Sequence, residues 1–356
     1  MTTSIDIDTA KLEAFAGQVF GDLAACYGGV MTSIGDRLGL YASLAGAGPL
    51  TAVEVADRSG CHERYVREWL NSQVAAGYID YDASAAKYEL PAEHAAVLAD
   101  RDSPANLSVA FNVAASLWLD EERAIHAFRT GEGVAWGDHH ERLFCGVAAF
   151  FGNAYRAQLV SQWLPALDGV VEKLEVGATV ADVGCGHGHS TVLMAEAFPN
   201  SRFVGVDTHE ASILAARAHA AEAGVDDRVT FVVGTAADLA ESSFDLICFF
   251  DCLHDLGDPV AAAVQAHKAL ADGGTVMLVE PNAGAGVEEN LGPIGRVYYS
   301  ASTVLCCAHA ISEGAAEPLG AQAGEERLAA VFAEAGFSQW RRATEGPFNL
   351  VLEARR

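Results

Sequence analysis

The chain has 356 residues, long enough for one large domain plus a smaller one, each able to bury its own core. Its composition is 51% hydrophobic and 20% charged, which excludes a disordered chain. The net charge is −26, from 48 acidic against 22 basic residues, a field that repels nucleic-acid phosphates and anionic membrane surfaces.

Met1 to Lys11 is polar and acidic, unlike the basic and then apolar order of a secretory signal, and no run of about twenty apolar residues suggests a membrane span. Eight cysteines are scattered without a Cys-x-x-Cys, so reduced thiols, a cytoplasmic protein and no metal site are expected.

Thr9 to Leu44 is rich in Ala, Leu, Phe and Val at mixed three and four spacing, which predicts helices broken near Gly28-Gly29. Thr51, followed three residues on by Glu54, forms a capping-box signature for a helix closing at Gly60. A second helix follows over Cys61 to Ala76, with Tyr65, Val66, Trp69, Leu70 and Val74 along one side. Tyr78–Tyr81 and Lys87–Leu90 read as two short strands, completing a winged-helix pattern. A ligand-sensing DNA regulator would need a basic face here, but Glu63 and Glu68 stand against Arg64 and Arg67. Packing or dimerisation fits this module better.

Residues 92–175 are again helical in pattern, interrupted at Gly131 to His140. Phe150, Phe151 and Tyr155 share neighbouring helical positions, which suits either a core stripe or a pocket wall. Asp182-Val183-Gly184-Cys185-Gly186-His187-Gly188 then reads as strand, glycine loop and helix start. Glycines let a ligand lie against bare backbone. No Gly-Lys dipeptide is present for a phosphate loop, and the third glycine comes one residue too early for a dinucleotide loop. An adenine nucleoside bearing an ammonium and no phosphate suits this spacing.

From there, apolar strand-like runs alternate with helices: Arg202–Asp207, Arg228–Val233, Phe244–Phe250 and Thr275–Pro281. The segment Asn282 to Gly324 is long for a connection, with a buried helix expected over Tyr298 to His309 and the Cys306-Cys307 pair as packing residues. Two closing strands, Ser338–Ala343 and Phe348–Glu353, make a hairpin that a simple dinucleotide fold would not need.

Asp182-x-Gly184-x-Gly186-x-Gly188 resembles the first motif of class I S-adenosylmethionine-dependent methyltransferases, and the N-terminal module resembles that of winged-helix small-molecule O-methyltransferases. The resemblance implies an α/β, Rossmann-like seven-stranded sheet of order 3-2-1-4-5-7-6 with the last strand antiparallel. The implied domains are a winged-helix dimerisation domain over residues 1–100, a helical linker and substrate lid over 101–175, and a cofactor-binding domain over 176–356. S-adenosylmethionine is the implied cofactor, held by the glycine loop and by Asp207, whose place at a strand's carboxyl end suits the ribose hydroxyls. Many similar enzymes have an acid where Thr235 stands, so the adenine contact here falls to a hydroxyl, to backbone or to Asp238. Thr208, Ala236, Phe250 and Asp251 complete the expected cofactor contacts.

Leu253-His254-Asp255 resembles the Leu-His-Asp of plant-type O-methyltransferases, whose histidine is the catalytic base, and imidazole titrates near neutrality. Capping the next helix or lining the pocket is the other role open to His254. The expected catalytic residues are His254 and Asp255, and the expected acceptor contacts are His139, Phe150, Tyr155, Tyr298 and Tyr299. The implied activity is methylation of a small apolar or aromatic acceptor, in a homodimer joined through the N-terminal domain. A cofactor-binding protein without catalysis remains the other reading.

Overall fold

The computed structural model describes residues 7–239 and 243–356; Met1 to Asp6 of the acidic opening stretch lie outside the described residues. The chain forms two compact units, Met1–Ala115 and Ser116–Arg356.

The first unit opens with a helix over Thr9–Arg37, capped by the Asp8 carboxylate, which accepts from the Ala10 and Lys11 N–H groups. The expected break at Gly28-Gly29 is absent. Mid-helix glycines cost only about 1 kcal/mol each relative to alanine, and the Phe111 ring packs so near Gly29 that a Cβ there would stand 3.3 Å away. The helix stops instead at Leu38, before Gly39, whose φ of 67° no helix continues through. Ala52–Ser59 has the expected capping box, with Thr51 and Glu54 bonded reciprocally, and Gly60 closes it at φ 66°. On the helix Glu63–Ala75, Val66, Trp69 and Leu70 are buried, whereas Tyr65 is 78% exposed. One residue before Val66 is a rotation of about 100°, which takes Tyr65 off the buried face. Strands β1 (Asp80–Asp82) and β2 (Lys87–Glu89) pair antiparallel as the wing.

The second unit is built on seven strands: β3 (Thr179–Val183), β4 (Arg202–Asp207), β5 (Val229–Val233), β6 (Phe244–Phe250), β7 (Leu270–Pro281), β8 (Gln339–Glu345) and β9 (Asn349–Arg355). Their order is β5-β4-β3-β6-β7-β9-β8, with β9 antiparallel to both neighbours and the rest of the pairs parallel. Side chains alternate across the sheet into two cores: Leu246, Cys248 and Phe250 face one, Ile247 and Phe249 the other. Strand order reverses at β3, so the carboxyl ends of β3, β4 and β6 open onto one crevice.

Two boundaries differ from expectation. Strand β7 begins at Leu270, which pairs with Phe244 across a register shift, rather than at Thr275. The expected single helix at Tyr298–His309 is two, Pro293–Val304 and Cys306–Ser312, because the backbone turns at Leu305 (φ −114°, ψ −76°). The Ser302 hydroxyl fastens that bend, accepting from the Ala321 N–H at 3.0 Å and lying 3.4 Å from the Cys307 thiol.

Candidate active site

The glycine loop follows β3 and is tied to β4 by the Gly184 and Cys185 N–H groups, both donating to the Val206 carbonyl at 2.8 and 3.1 Å. Its three glycines all have positive φ, at 71°, 52° and 74°. A Cβ on Gly184 would strike Cys252 at 2.8 Å, and one on Gly188 would strike the Phe231 ring at 2.6 Å, so these two serve close packing. At Gly186 the same direction is open space. Bare backbone there is available to a ligand.

Asp182, fully buried, accepts the Ser190 and Thr191 hydroxyls on Oδ2, both at 2.6 Å, while Oδ1 has no partner. Burial pushes its carboxyl up to about 6, against the pull of those two hydroxyls. Asp207 accepts the Gly186 N–H on Oδ2 and the His209 N–H on Oδ1, each at 2.9 Å. A carboxylate has about four lone-pair sites, so it retains capacity for two hydroxyls. An orphaned oxygen on Asp182, an open face at Gly186 and spare acceptors on Asp207 fit a nucleoside with an ammonium tail. Farther along, Asp238 turns back to accept the Thr235 N–H at 2.8 Å, and Ala236 is buried beside them.

The second group lies after β6. Phe250 is buried with its ring 5.3 Å from that of Tyr155. Asp251 has φ 49°, an uncommon place for a residue with a side chain. Its N–H donates to Val279, its Oδ1 accepts from Asn349 at 2.7 Å, and its Oδ2 is buried without a partner. Burial, then the Glu280 carboxylate, push the Asp251 carboxyl well above its usual range.

His254 is buried and its Nδ1 meets Glu280 Oε2 at 2.5 Å, while Glu280 Oε1 accepts the Leu253 N–H at 3.1 Å. Burial opposes charge on this imidazole most strongly, but the Glu280 carboxylate and the Cys306 side chain, which also hydrogen-bonds the ring, together hold the histidine well above its ordinary value. Asp255, next in sequence, closes the short turn through its N–H on Cys252 and is pushed up to about 7, chiefly by burial. The carboxyl partner of His254 thus comes from another strand. Sequence reasoning passed over Glu280; the signal was one acid ending the apolar run Val276–Val279.

Of the expected acceptor residues, Tyr155 and Tyr298 gather near Asp251, whose charge adds to the burial that raises both phenols. The Tyr298 hydroxyl donates to the Phe348 carbonyl at 2.7 Å. His139 is buried with Nδ1 3.3 Å from Asp120, its Nε2 is unpartnered, and with Leu117, Val134 and Leu305 it lines a small cavity. Phe150 packs edge-on against Phe151, and Tyr299 is half-buried with its carbonyl bonded to Thr303.

This crevice, with a glycine loop on one rim and a buried His–Glu pair on the other, belongs to the class I methyltransferase fold. Residues 174–336 match the family model of a methyltransferase domain, and residues 26–100 that of an Rv2258c-like winged HTH domain. In chain order, the chain thus matches a winged helix-turn-helix domain and then a methyltransferase domain. It is 38% identical over 101 residues to the ubiquinone biosynthesis O-methyltransferase of Idiomarina loihiensis, covering 28% of this chain and 41% of that protein. The 27-O-demethylrifamycin SV methyltransferase of Amycolatopsis mediterranei is 33% identical over 107 residues, 30% of this chain and 39% of that one. The chain thus spans about two fifths of the length of the curated relatives it matches. Among solved structures, mitomycin 7-O-methyltransferase MmcR superposes with a TM-score of 0.70 at 20% identity, covering 98% of this chain and 100% of that one. Human N-acetylserotonin methyltransferase in complex with SAM gives 0.70 at 15%, covering 100% and 99%. These likenesses are of fold.

Proposed function

We propose that the protein transfers a methyl group from S-adenosylmethionine to a hydroxyl oxygen of a small apolar or aromatic acceptor, with His254 as base and Glu280 as its orienting partner. The observation that carries this reading is the buried His254–Glu280 pair at the carboxyl ends of β6 and β7, in the crevice the glycine loop borders. Bound there, S-adenosylmethionine supplies a methyl group already attached to a sulfonium leaving group. Asp207 would take the ribose hydroxyls, Gly186 would offer its open face, and Asp182 would hold the loop through Ser190 and Thr191. Thr208, Thr235, Ala236, Phe250 and Asp251 would line the rest of the cofactor's path. With Nδ1 engaged by Glu280, neutral His254 would receive the acceptor's proton on Nε2 once the acceptor hydroxyl displaces the Cys306 side chain that hydrogen-bonds this ring. Tyr155, Tyr298 and Phe250 give the acceptor an apolar wall that excludes water; His139, Phe150 and Tyr299 would extend it.

Single-turnover transfer of a labelled methyl group to a panel of phenols and naphthols tests the reading. Label on an acceptor oxygen supports it. Binding of S-adenosylmethionine without transfer to any member would leave a cofactor-binding protein. The regulator reading is weakened by Glu63–Ala75, where Arg64 and Arg67 are each paired with a glutamate, and a shift of duplex DNA at moderate salt would revive it.

A homodimer belongs to the same proposal. On Thr9–Arg37, Leu12, Phe15, Val19, Leu23, Tyr27, Val30 and Ile34 recur at three and four spacing and are all exposed. One face of a 29-residue helix left bare in this way suits a second copy of the chain. Sedimentation equilibrium of Leu23→Glu should return a monomer. The eight free thiols and the acidic charge fit the cytoplasm, and among the described residues no helix is long and apolar enough to cross a membrane.

A further inference from the structure

Behind the glycine loop stand three imidazoles that the proposed transfer does not use. His187 and His189 belong to the loop and its helix start, and His219 projects from the helix Glu210–Glu222. The rings of His189 and His219 stack, with centroids 4.7 Å apart and planes 26° off parallel. His187 completes the group, 6.2 Å from His219 and 6.5 Å from His189. The Nδ1 of His219 lies 2.9 Å from the His187 carbonyl oxygen, and since a carbonyl only accepts, Nδ1 carries the proton and donates it. On another side of His189, a Cβ on Gly152 would stand 3.5 Å from its ring and 3.6 Å from the Arg156 guanidinium. His189 and His219 lie face to face while His187 is tilted 42° and 56° to them, and among the described residues no group of His, Cys, Asp and Glu is placed to hold a metal ion.

We propose that His219 positions the cofactor loop, through the His187 carbonyl and the stack on His189, and that His187 and His189 make cofactor affinity fall when the site takes up protons. This rests on the reading of Asp182 to Gly188 as the S-adenosylmethionine loop. The charged and titratable groups facing the stack are Asp207 and His209 from the end of β4 and Arg156 from the helix Glu141–Gln158. One carboxylate therefore stands against an arginine and up to four imidazoles.

Burial, then His219 and His209, hold His187 below its ordinary value; burial, then His219, His187 and Arg156, bring His189 down to about 4. A histidine lowered in the folded state favours the ordered loop in its neutral form. The order is full above the ordinary histidine value near 6.5 and is lost progressively as pH falls from there toward about 4. Protons taken up also place positive charge beside a ligand that carries a sulfonium.

Calorimetry on the full chain tests this with two probes, S-adenosylmethionine and S-adenosylhomocysteine, which lacks the sulfonium charge. From about pH 7.5 to 5.5, wild type should lose about tenfold or more in affinity for the first and less for the second. In the double variant His187→Asn with His189→Asn the loss should shrink to about threefold or less. His219→Phe should weaken both probes about tenfold at pH 7.5, whereas His219→Gln, whose amide still donates to the His187 carbonyl, should keep most of the affinity. An equal pH slope in wild type and the double variant overturns the proton sensitivity. Unchanged affinity in His219→Phe overturns the positioning role; should that variant unfold, His219→Ala replaces it, and wild-type affinity there has the same meaning. If neither probe binds wild type at pH 7.5, the cofactor reading of the loop fails, an outcome distinct from binding with an unaltered slope.

Discussion

The two rims of the crevice are made in different ways. On the cofactor rim, backbone does most of the work: three glycines with positive φ, N–H groups tied to Val206, and Asp207 reaching Gly186 only 21 positions away. On the acceptor rim, side chains meet across long stretches of chain. Glu280 is 26 residues from His254, and the Tyr298 hydroxyl reaches the backbone carbonyl of Phe348, 50 residues away. A backbone-made rim resists change and binds one ligand shape. A rim assembled from distant side chains can be altered one contact at a time, which suits the part of the site that selects an acceptor.

If that contrast holds, substitutions on the cofactor rim should weaken binding while those opposite should alter transfer. The largest effect is expected for His254→Ala, slowing methyl transfer on the order of 10²- to 10⁴-fold in single turnover with S-adenosylmethionine affinity near wild type. Unchanged turnover would reduce His254 to pocket lining. Next, Asp207→Ala should weaken S-adenosylmethionine about 100-fold by calorimetry, through two lost charge-assisted hydrogen bonds and a loosened Gly186. An unchanged dissociation constant would remove Asp207 from the cofactor rim.

Glu280→Gln probes the pair itself. The Glu280 carboxylate raises His254, so base strength appears only as pH rises through that elevated value. Removing the charge should move the acid limb of the pH–rate profile to lower pH and lower the plateau rate about tenfold. A profile with its limb unmoved would mean that His254 does not set it. Smaller again, Asn349→Ala should weaken S-adenosylmethionine about threefold by calorimetry, by freeing Asp251 Oδ1, and an unchanged dissociation constant would take Asp251 out of the cofactor's path. Smallest, and outside the crevice, Thr51→Ala should cost about 1 kcal/mol of stability in denaturant titration through the lost capping box.

The same division explains what was legible in the chain's letters. The strands, the Asp182–Gly188 loop and the closing hairpin follow from local periodicity and from glycines whose spacing has few uses, whereas the order of the sheet was implied by the family resemblance. Glu280 was hidden because its partner is distant and its own surroundings read simply as strand. The helix through Gly28-Gly29 was misread since glycine is a weak breaker when the helix is long and the Phe111 ring packs against it. The bend at Leu305 depends on Ser302, Cys307 and Ala321, a contact set that no period announces.

The place of β9 bears on how the molecule is made. It lies between β7 and β8, pairing Val276 with Ala354 and Pro281 with Asn349, so β7 has nothing to pair with on that side until residues 349–355 have emerged from the ribosome. The glycine loop, His254 and Glu280 will by then have been synthesised, yet Asp251 still lacks Asn349 and the flank of Glu280 is open. During that interval the nascent chain exposes an apolar strand, Val276–Val279, with unsatisfied backbone groups, the kind of edge that recruits other chains. Synthesis rate and chaperone supply should therefore govern the yield of folded protein more than its final stability does.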